Sequence, residues 1–486
     1  MNFSASNPDP RRWLILAVIA SAQMMVVLDA TIVNIALPSA QSALGISDVD
    51  KQWVVTAYAL TFGGFLLLGG RIADYWGRKR TFILGMLGFA AASALGGLAT
   101  NQEMLFAARA LQGTFGAMLA PAGLAILTTT FHDPDERAKA FAVFGAVAAG
   151  GAAVGLLLGG ILTELLNWRW CLLVNTPVAI LVALATYRIV SESKSGGSGH
   201  YDIPGALLGT FGLVSLVYGF TKAGETSWGN STTIIFLVAA VVLLGAFVLV
   251  ELRSKNPLLP MRILLDRNRG GSYMTSVLLG AAIFGASLFL TYYFQQVLGY
   301  TPIQAGLASL PISLGVFAAA GGVGKVLTRF GPRPIMTLGA VFGTVGMLLL
   351  AQIEVDSNFW LLVFPGELLF GAGMGMIFVP LSNLALINID ANDAGAASAV
   401  LNASQQVGGS LGTALLSSFS VAATNAFFAD NKGMPNLQSE ALTHGFSVGF
   451  YWAAGLMFLA AVIIFVMIKA SKDDIVEQDV AAVPVG

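Results

Sequence analysis

Long runs of apolar residues, separated by short polar segments, dominate the sequence. An α-helix rises about 1.5 Å per residue, so about 20 apolar residues cross the hydrocarbon core of a bilayer. About fourteen runs approach or exceed this length, and each predicts a transmembrane helix. The pattern therefore predicts an all-α polytopic membrane protein with fourteen spans. The runs lie within residues 13–37, 53–71, 81–99, 104–128, 138–163, 170–189, 203–221, 233–251, 271–298, 304–327, 333–352, 359–387, 394–424 and 446–468.

Basic residues are unequally distributed between the two ends of these runs. Of the 25 lysines and arginines, Arg109 lies inside a run and most of the others lie on one side. Cytoplasmic loops carry an excess of basic residues, so we predict that both termini are cytoplasmic. The sparse side holds only Lys51, Arg169, Lys222 and Lys432.

Two polar stretches divide the runs into groups of six, two and six. One is rich in serine and glycine, which is typical of a flexible linker, and the other is basic. We expect the two inserted helices to pack outside the bundles. The predicted segments are an N-terminal six-helix bundle at 1–190, a cytoplasmic linker at 191–202, two inserted helices at 203–252, a basic connector at 253–270, a C-terminal six-helix bundle at 271–470 and a cytoplasmic tail at 471–486.

The two groups of six show a weak internal repeat. Residues 70–79 align with 324–333, and residues 109–113 align with 367–371. Secondary transporters are built from repeated halves around a site near the membrane midplane. A chance match between glycine-rich segments is the alternative.

Three charged residues lie deep inside predicted spans. Asp29, Arg109 and Glu367 each lie about 9–12 Å from the same membrane face, counted along their helices. A charge at such depth costs about 2.5–3.5 kcal/mol, so intramembrane charges usually serve function. We predict a proton-switchable ion pair between Asp29 and Arg109, the alternative being an acid that only holds helices together. For Glu367 two roles stay open, a partner for Arg109 or a second proton or cation site.

Amino-acid composition excludes several classes of function. The chain is 56% hydrophobic and 10% charged, with a mean hydropathy of +0.77. A net charge of −1 argues against a nucleic-acid partner, and the single cysteine, Cys171, excludes a cysteine metal site. No nucleotide-binding loop or histidine-rich metal motif is present, so we expect no cofactor, no metal and no enzyme activity. An ion gradient is then the expected source of energy.

Four motifs resemble those of a known transporter family. The segment with Gly70, Arg71, Asp74, Gly77, Arg78, Lys79 and Arg80 resembles the loop between helices two and three of the major facilitator superfamily, a conformational-switch element. Residues 28–38, 109–113 and 167–177 resemble motifs of its fourteen-helix drug:proton antiporter branch, which contains the EmrB and QacA exporters. Helix five carries an antiporter motif in that branch, to which Gly151, Gly155, Gly159 and Gly160 correspond. The usual proline of the motif is replaced by Leu156.

The resemblance also implies a substrate cavity lined by the first and fourth helix of each half. Methionine and aromatic side chains suit lipophilic cations, although packing and interhelical hydrogen bonding are alternatives for each residue. The candidate cavity residues are Met25, Asn34, Tyr58, Gln112, Tyr292, Gln295, Gln296 and Asn402.

The resulting hypothesis is a proton-coupled multidrug efflux antiporter of the bacterial cytoplasmic membrane. Its expected partners are a lipophilic small molecule, protons and the lipid bilayer, and we expect a monomer. A dedicated exporter of an endogenous metabolite or antibiotic is the main alternative. A non-transporting sensor or membrane enzyme fits less well, because both tails are short and no cluster of catalytic side chains lies at membrane depth.

Overall fold

The computed structural model describes residues 10–48, 50–131, 133–194, 202–254, 257, 259, 261–386 and 394–471. Over these residues the fold is helical and contains no strand. The helices are α1 (Arg12–Leu44), α2 (Trp53–Trp76), α3 (Arg78–Gly97), α4 (Gln102–Thr130), α5 (Pro134–Leu165), α6 (Trp170–Leu173), α7 (Asn175–Ile189), α8 (Ile203–Glu225), α9 (Ser231–Arg253), α10 (Met261–Leu265), α11 (Arg267–Tyr292), α12 (Pro302–Ala308), α13 (Leu310–Phe330), α14 (Pro332–Leu350), α15 (Phe364–Leu386), α16 (Ala394–Asp430) and α17 (Leu437–Met467).

The number of membrane-spanning helices is smaller than the sequence predicted. Within the described residues, twelve helices are long and apolar enough to cross a membrane, or thirteen if the bent pair Asp50–Leu66 and Leu68–Trp76 forms one span. The predicted fourteen are not reached. The remaining difference lies in α5, where only the shorter apolar stretch Gly150–Leu165 is counted.

The N-terminal helices α1 to α7 form one group. In it α1 packs on α5 and α7, while α4 packs on α2 and α3. The glycines of α5 allow a close approach to α1: a Cβ atom at Gly155 would lie 3.0 Å from the carbonyl oxygen of Leu28, and one at Gly159 would lie 2.8 Å from that of Ile32. The small-residue stripe therefore lies against α1. The helix continues through Leu156, where the family motif has proline.

The C-terminal helices α11 to α17 form a second group, in which α11 packs on α16 and α17 and α15 packs on α13 and α14. Two glycines hold corresponding places in the two groups. A Cβ at Gly113 of α4 would lie 3.0 Å from the Phe62 nitrogen of α2, and one at Gly371 of α15 would lie 2.9 Å from the Ile312 Cα of α13. These are the two glycines that the internal repeat aligns.

The inserted helices α8 and α9 pack on each other, but α8 also contacts α2 and α16. The Thr210 hydroxyl donates to the Gly64 carbonyl at 2.8 Å. Val217 of α8 is fully buried in a cluster with Leu60 and Val407. Helix α8 therefore covers the seam between the two groups, and the position of the inserted helices outside the bundles stays a prediction.

The predicted switch loop is mostly helical. Gly70, Arg71 and Asp74 lie in α2, and α3 begins at Arg78, so Gly77 alone reverses the chain direction, with φ of +123°. An L side chain rarely adopts this φ, which explains the glycine. Arg78 lies 3.5 Å from Asp74, and the Glu192 carboxylate accepts the backbone N–H groups of Lys79 and Arg80 at 3.1 and 3.2 Å.

Parts of the predicted polar segments lie outside the described residues. These parts are residues 195–201 of the linker, residues 255, 256, 258 and 260 of the basic connector, and residues 472–486 of the tail.

Candidate functional site: a buried ion pair in the N-terminal group

The central feature of the N-terminal group is an ion pair between α1 and α4. The Arg109 Nη1 atom lies 2.6 Å from Asp29 Oδ2, and the side chains of Asp29 and Arg109 are 0% and 2% exposed. The structure therefore brings together the acid and the guanidinium that the sequence singled out, 80 residues apart in the chain.

The Asp29 carboxylate accepts two more hydrogen bonds. Its Oδ1 atom accepts from Gln112 Nε2 at 2.9 Å and from Asn175 Nδ2 at 2.7 Å. Asn175 is the first residue of α7, so helices α1, α4 and α7 meet at one carboxylate. Three donors at one buried carboxylate favour its ionised form.

Arg109 is held from three further directions. Its Nε donates to the Val54 carbonyl at 2.9 Å, and its Nη1 donates to Gln112 Oε1 at 2.8 Å. The Tyr58 ring centroid lies 4.5 Å from the guanidinium carbon, within the range of a cation–π contact. Gln112 completes the network by donating to the Ser93 hydroxyl at 2.8 Å.

Local sequence explains how α4 presents Arg109. Asn101 caps the helix by accepting the Met104 N–H at 2.8 Å, which fixes its first turn. Gly113, one turn after Arg109, lets α2 approach, and α2 carries both Val54 and Tyr58. The Thr61 hydroxyl of α2 bonds the Ala110 carbonyl at 2.8 Å and ties the two helices together.

Proton binding at Asp29 can change how the helices around this ion pair pack. Two unit charges 4 Å apart attract by about 4 kcal/mol at an effective dielectric constant of 20. A proton on Asp29 would cancel that attraction and occupy an oxygen that now accepts hydrogen bonds. Arg109 would then be a buried cation without its counter-charge, a state that costs about 3–5 kcal/mol when it arises by mutation. Protonation would therefore favour a different packing of α1 against α4.

Glu367 does not belong to this network. Its side chain is fully buried, and neither carboxylate oxygen has a hydrogen-bond partner among the described residues. Arg109 donates its hydrogen bonds to Asp29, Gln112 and the Val54 carbonyl instead. The alternative in which Glu367 pairs with Arg109 is therefore wrong, because the acid lies on α15 of the other helix group.

The eight candidate cavity residues lie in several different parts of the structure. Tyr58 and Gln112 belong to the ion-pair network, and Met25 lies in the apolar core of the N-terminal group. Tyr292 and Gln295 contact α1 from the C-terminal group. The remaining three are divided between the interior and the surface: Asn34 is buried, whereas Gln296 and Asn402 are exposed.

Cavities lie away from the ion-pair network. One, of about 200 Å³, lies inside the N-terminal group between Ile19, Phe82 and Leu119. The other, of about 470 Å³, lies between Lys51, Tyr292 and Phe446. Among the residues that the structure describes, no cluster of three or more His, Cys, Asp or Glu side chains could hold a metal ion.

Three members of the network were missed as site residues. Ser93 and the Val54 carbonyl carried no signal, since hydroxyl groups and backbone carbonyls are common in membrane helices. Asn175 had a signal, because it lies in the segment that resembles the family motif at the junction of helices five and six. Its amide was the one member that the sequence could have assigned.

Comparison with known proteins adds to this geometry. The chain matches the Major Facilitator Superfamily over residues 19–413. It is 46% identical to the puromycin resistance protein pur8 of Streptomyces alboniger over 483 residues, which cover 99% of this chain and 96% of the relative. It is 37% identical to the cephamycin export protein CmcT of Amycolatopsis lactamdurans, covering 82% of this chain and 83% of the relative.

A solved structure gives the same fold. The crystal structure of a bacterial homolog of the human lysosomal transporter Spinster, inward-facing and unoccupied, superposes with a TM-score of 0.66. The match covers 96% of this chain and 99% of the other, at 15% sequence identity. At this identity the likeness shows the fold alone.

Proposed function

Because the chain belongs to the Major Facilitator Superfamily, we propose that it is an efflux transporter that exports lipophilic or cationic compounds in exchange for protons. The buried Asp29–Arg109 pair carries this proposal, since it is an ionisable acid held deep in a span by a counter-charge. Relatives that cover most of the chain are named as antibiotic resistance or export proteins, which supports the direction of transport.

The proposed cycle begins with proton uptake at Asp29. The neutral carboxyl releases Arg109, and the two helix groups rock so that the site opens to the opposite side. Loss of the proton to the cytoplasm restores the ion pair and allows the substrate to bind. A membrane potential of 100 mV contributes about 2.3 kcal/mol for each net charge moved, so the proton count and the substrate charge together set the driving force.

Glu367 is proposed as a second protonation site. A buried carboxylate without a partner is costly to ionise, so a proton on this side chain fits its surroundings better than a negative charge. Its place in the internal repeat supports the assignment, because Glu367 corresponds to Arg109 in the other half. The repeat-related positions would then hold a permanently charged arginine in one half and a protonated glutamate in the other.

The finer architecture is also part of the proposal. We propose fourteen spans in the arrangement of the EmrB and QacA branch, with α5 as a full span, since its helix is 32 residues long. We also propose the six, two and six division of the spans, cytoplasmic termini, a monomeric state and a location in the bacterial cytoplasmic membrane. The bias of basic residues supports the orientation.

A dedicated exporter of one antibiotic is the second candidate. The names of two relatives favour it, because each refers to a single compound or compound class, puromycin in one case and cephamycin in the other. Within the same family the two candidates differ in substrate range alone. A panel of chemically unrelated compounds therefore separates them.

Uptake into everted membrane vesicles, in which export from the cell becomes movement into the vesicle, tests the proposal. Vesicles that contain the chain should accumulate a lipophilic cation when a proton gradient is imposed, and a protonophore should abolish the accumulation. Vesicles without the chain are the control. Accumulation that persists with the protonophore would contradict proton coupling, and accumulation of one panel member only would favour the dedicated exporter.

A further inference from the structure

Four polar residues join the two helix groups at one end of the molecule. Gln41 lies near the end of α1, Asp48 and Lys51 lie between α1 and α2, and Tyr292 ends α11. The first three belong to the N-terminal group, whereas Tyr292 belongs to the C-terminal group. We call these four residues the inter-group latch.

Tyr292 is held at both its edge and its face. Its hydroxyl donates to Gln41 Oε1 at 2.6 Å. The Lys51 ammonium lies 3.8 Å from the centroid of its ring, a close cation–π contact. One aromatic side chain of the C-terminal group is therefore bound by two polar side chains of the N-terminal group.

Asp48 organises the N-terminal side of the latch. Its Oδ1 atom accepts from Lys51 Nζ at 3.1 Å and from Gln41 Nε2 at 3.0 Å. Burial raises the pKa of Asp48. The Lys51 charge and the Gln41 amide together lower it by a larger amount, so the pKa lies below its usual range. The carboxylate that fixes both partners of Tyr292 is thus ionised at neutral pH.

The latch lies in a closed end of the molecule. Lys51 is only 7% exposed and Tyr292 only 1%. Beside it, Gln295 Nε2 donates to the Ile35 carbonyl at 2.8 Å, and the Ile303 N–H donates to the Glu164 carboxylate at 3.0 Å. All of these contacts join the N-terminal group to the C-terminal group. Opening this end therefore requires breaking them.

We propose that Lys51 and Tyr292 form the gate that holds this end shut and that must separate in each transport cycle. This inference rests on the proposed function, in which the two helix groups rock. In the proposed orientation the gate faces the outside of the cell. It reassigns Tyr292 from the wall of a substrate cavity to the contact between the halves.

Space beside the gate allows its side chains to move. The cavity of about 470 Å³ is lined by Lys51 and Tyr292 on one side and by Ser417 and Thr424 of α16 on the other. The Ser417 hydroxyl is buried and has no hydrogen-bond partner among the described residues. A released Lys51 ammonium would meet this polar wall, so separation does not leave it among apolar groups alone.

Distance measurements between spin labels test the gate directly. The single cysteine, Cys171, is replaced by alanine, and cysteines for labelling are placed at Thr100 and Met434. These two exposed residues lie at the latch end of the N-terminal and C-terminal groups. Lys51→Met should raise the fraction of molecules with the longer, open distance about tenfold. Tyr292→Phe keeps the ring and loses the hydroxyl, so it should raise that fraction about threefold.

The chain offers a matched control for each variant. Tyr293 is the neighbour of Tyr292, and its hydroxyl bonds the Glu354 carbonyl at 2.7 Å within the C-terminal group. Lys222 of α8 also lies beside an aromatic ring, 5.8 Å from that of Tyr218, and is not one of the four latch residues. Tyr293→Phe and Lys222→Met should leave the distance distribution unchanged. Gln41→Leu and Tyr292→Phe remove the same hydrogen bond. The double variant should therefore raise the free energy of the closed state by less than the sum of the two single changes.

The outcomes separate the gate from the proposed function. If Lys51→Met and Tyr292→Phe populate the open distance while both controls do not, the gate is supported. If all four variants share the parent distribution and the parent transports, the gate assignment is wrong and the transport proposal stands. A parent that neither opens at this end nor transports would overturn both. Each variant is first checked for a single symmetric peak in size-exclusion chromatography.

Discussion

The amide of Asn175 donates a hydrogen bond of 2.7 Å to the carboxylate of Asp29, across 146 residues of sequence. The contact joins the first residue of α7 to α1, inside the network that surrounds the Asp29–Arg109 ion pair. In the proposed cycle, Asn175 is therefore a positioning residue for the Asp29 carboxylate.

Replacing Asn175 with alanine should slow proton-driven transport about tenfold, because a hydrogen bond to a charged group contributes about 1.5–3 kcal/mol. Asn431→Ala is the control, since the Asn431 amide donates to the Phe427 carbonyl near the end of α16 and is not part of this network. Initial rates of substrate uptake into everted vesicles measure the effect. Equal rates for the parent and Asn175→Ala would show that this hydrogen bond does not tune Asp29.

The two buried acids should differ in how much stability is lost when each is converted into an amide. Asp29→Asn leaves the Arg109 guanidinium buried without a counter-charge, and we expect a loss of about 3 kcal/mol in unfolding free energy. Neither oxygen of the Glu367 carboxylate has a hydrogen-bond partner among the described residues, so we expect Glu367→Gln to change the unfolding free energy by less than about 0.5 kcal/mol. Thermal unfolding in detergent compares the two. A large destabilisation by Glu367→Gln would indicate an ionised, partnered carboxylate.

Glycine 113 should tolerate no side chain. A Cβ atom there would approach the backbone of α2, 3.0 Å from the Phe62 nitrogen, and would push away the helix that carries Val54 and Tyr58. We expect Gly113→Ala to cost about 1–3 kcal/mol and to reduce transport. Gly150→Ala is the matched control, because a Cβ atom at Gly150 meets nothing within 4 Å. Equal melting temperatures for the two variants would contradict the close packing of α2 on α4.

Arginine at position 109 should not be replaceable by lysine. The guanidinium bonds Asp29, Gln112 and the Val54 carbonyl in three directions while it stacks on Tyr58. A lysine ammonium is a compact point charge and cannot reproduce this planar set of donors. Arg109→Lys should therefore reduce transport at least about tenfold while keeping the charge. Transport at the parent rate would show that the charge alone is sufficient.

Sequence reasoning predicted the ion pair because a charge inside a bilayer is costly and needs a partner. It could not predict the whole network around the pair. Amides and hydroxyls such as Asn175 and Ser93 are common in membrane helices, and their contacts depend on the relative rotation of helices far apart in the chain. Tyr58 was assigned to a substrate wall, because an aromatic ring suits a ligand cation and a guanidinium equally well.

The failed predictions have equally definite physical causes. Counting residues along a helix gives depth in the membrane but not the side of the helix that faces a neighbour, so it left open whether Glu367 pairs with Arg109. The glycine-rich, basic segment at Gly70 to Arg80 was interpreted as a loop, yet one residue in a positive-φ conformation, Gly77, is enough to reverse two helices. The gate was also missed, because Lys51 was interpreted only as a residue of the sparse side.

Proton coupling at Asp29 is tested most directly by Asp29→Asn in proteoliposomes, with substrate uptake measured with and without an imposed pH gradient. The exposed acid Glu103, at the start of α4, provides the control variant Glu103→Gln. We expect Asp29→Asn to exchange substrate across the membrane but to lose accumulation driven by the gradient, while Glu103→Gln keeps both. Accumulation by Asp29→Asn at the parent level under the same gradient would contradict the account.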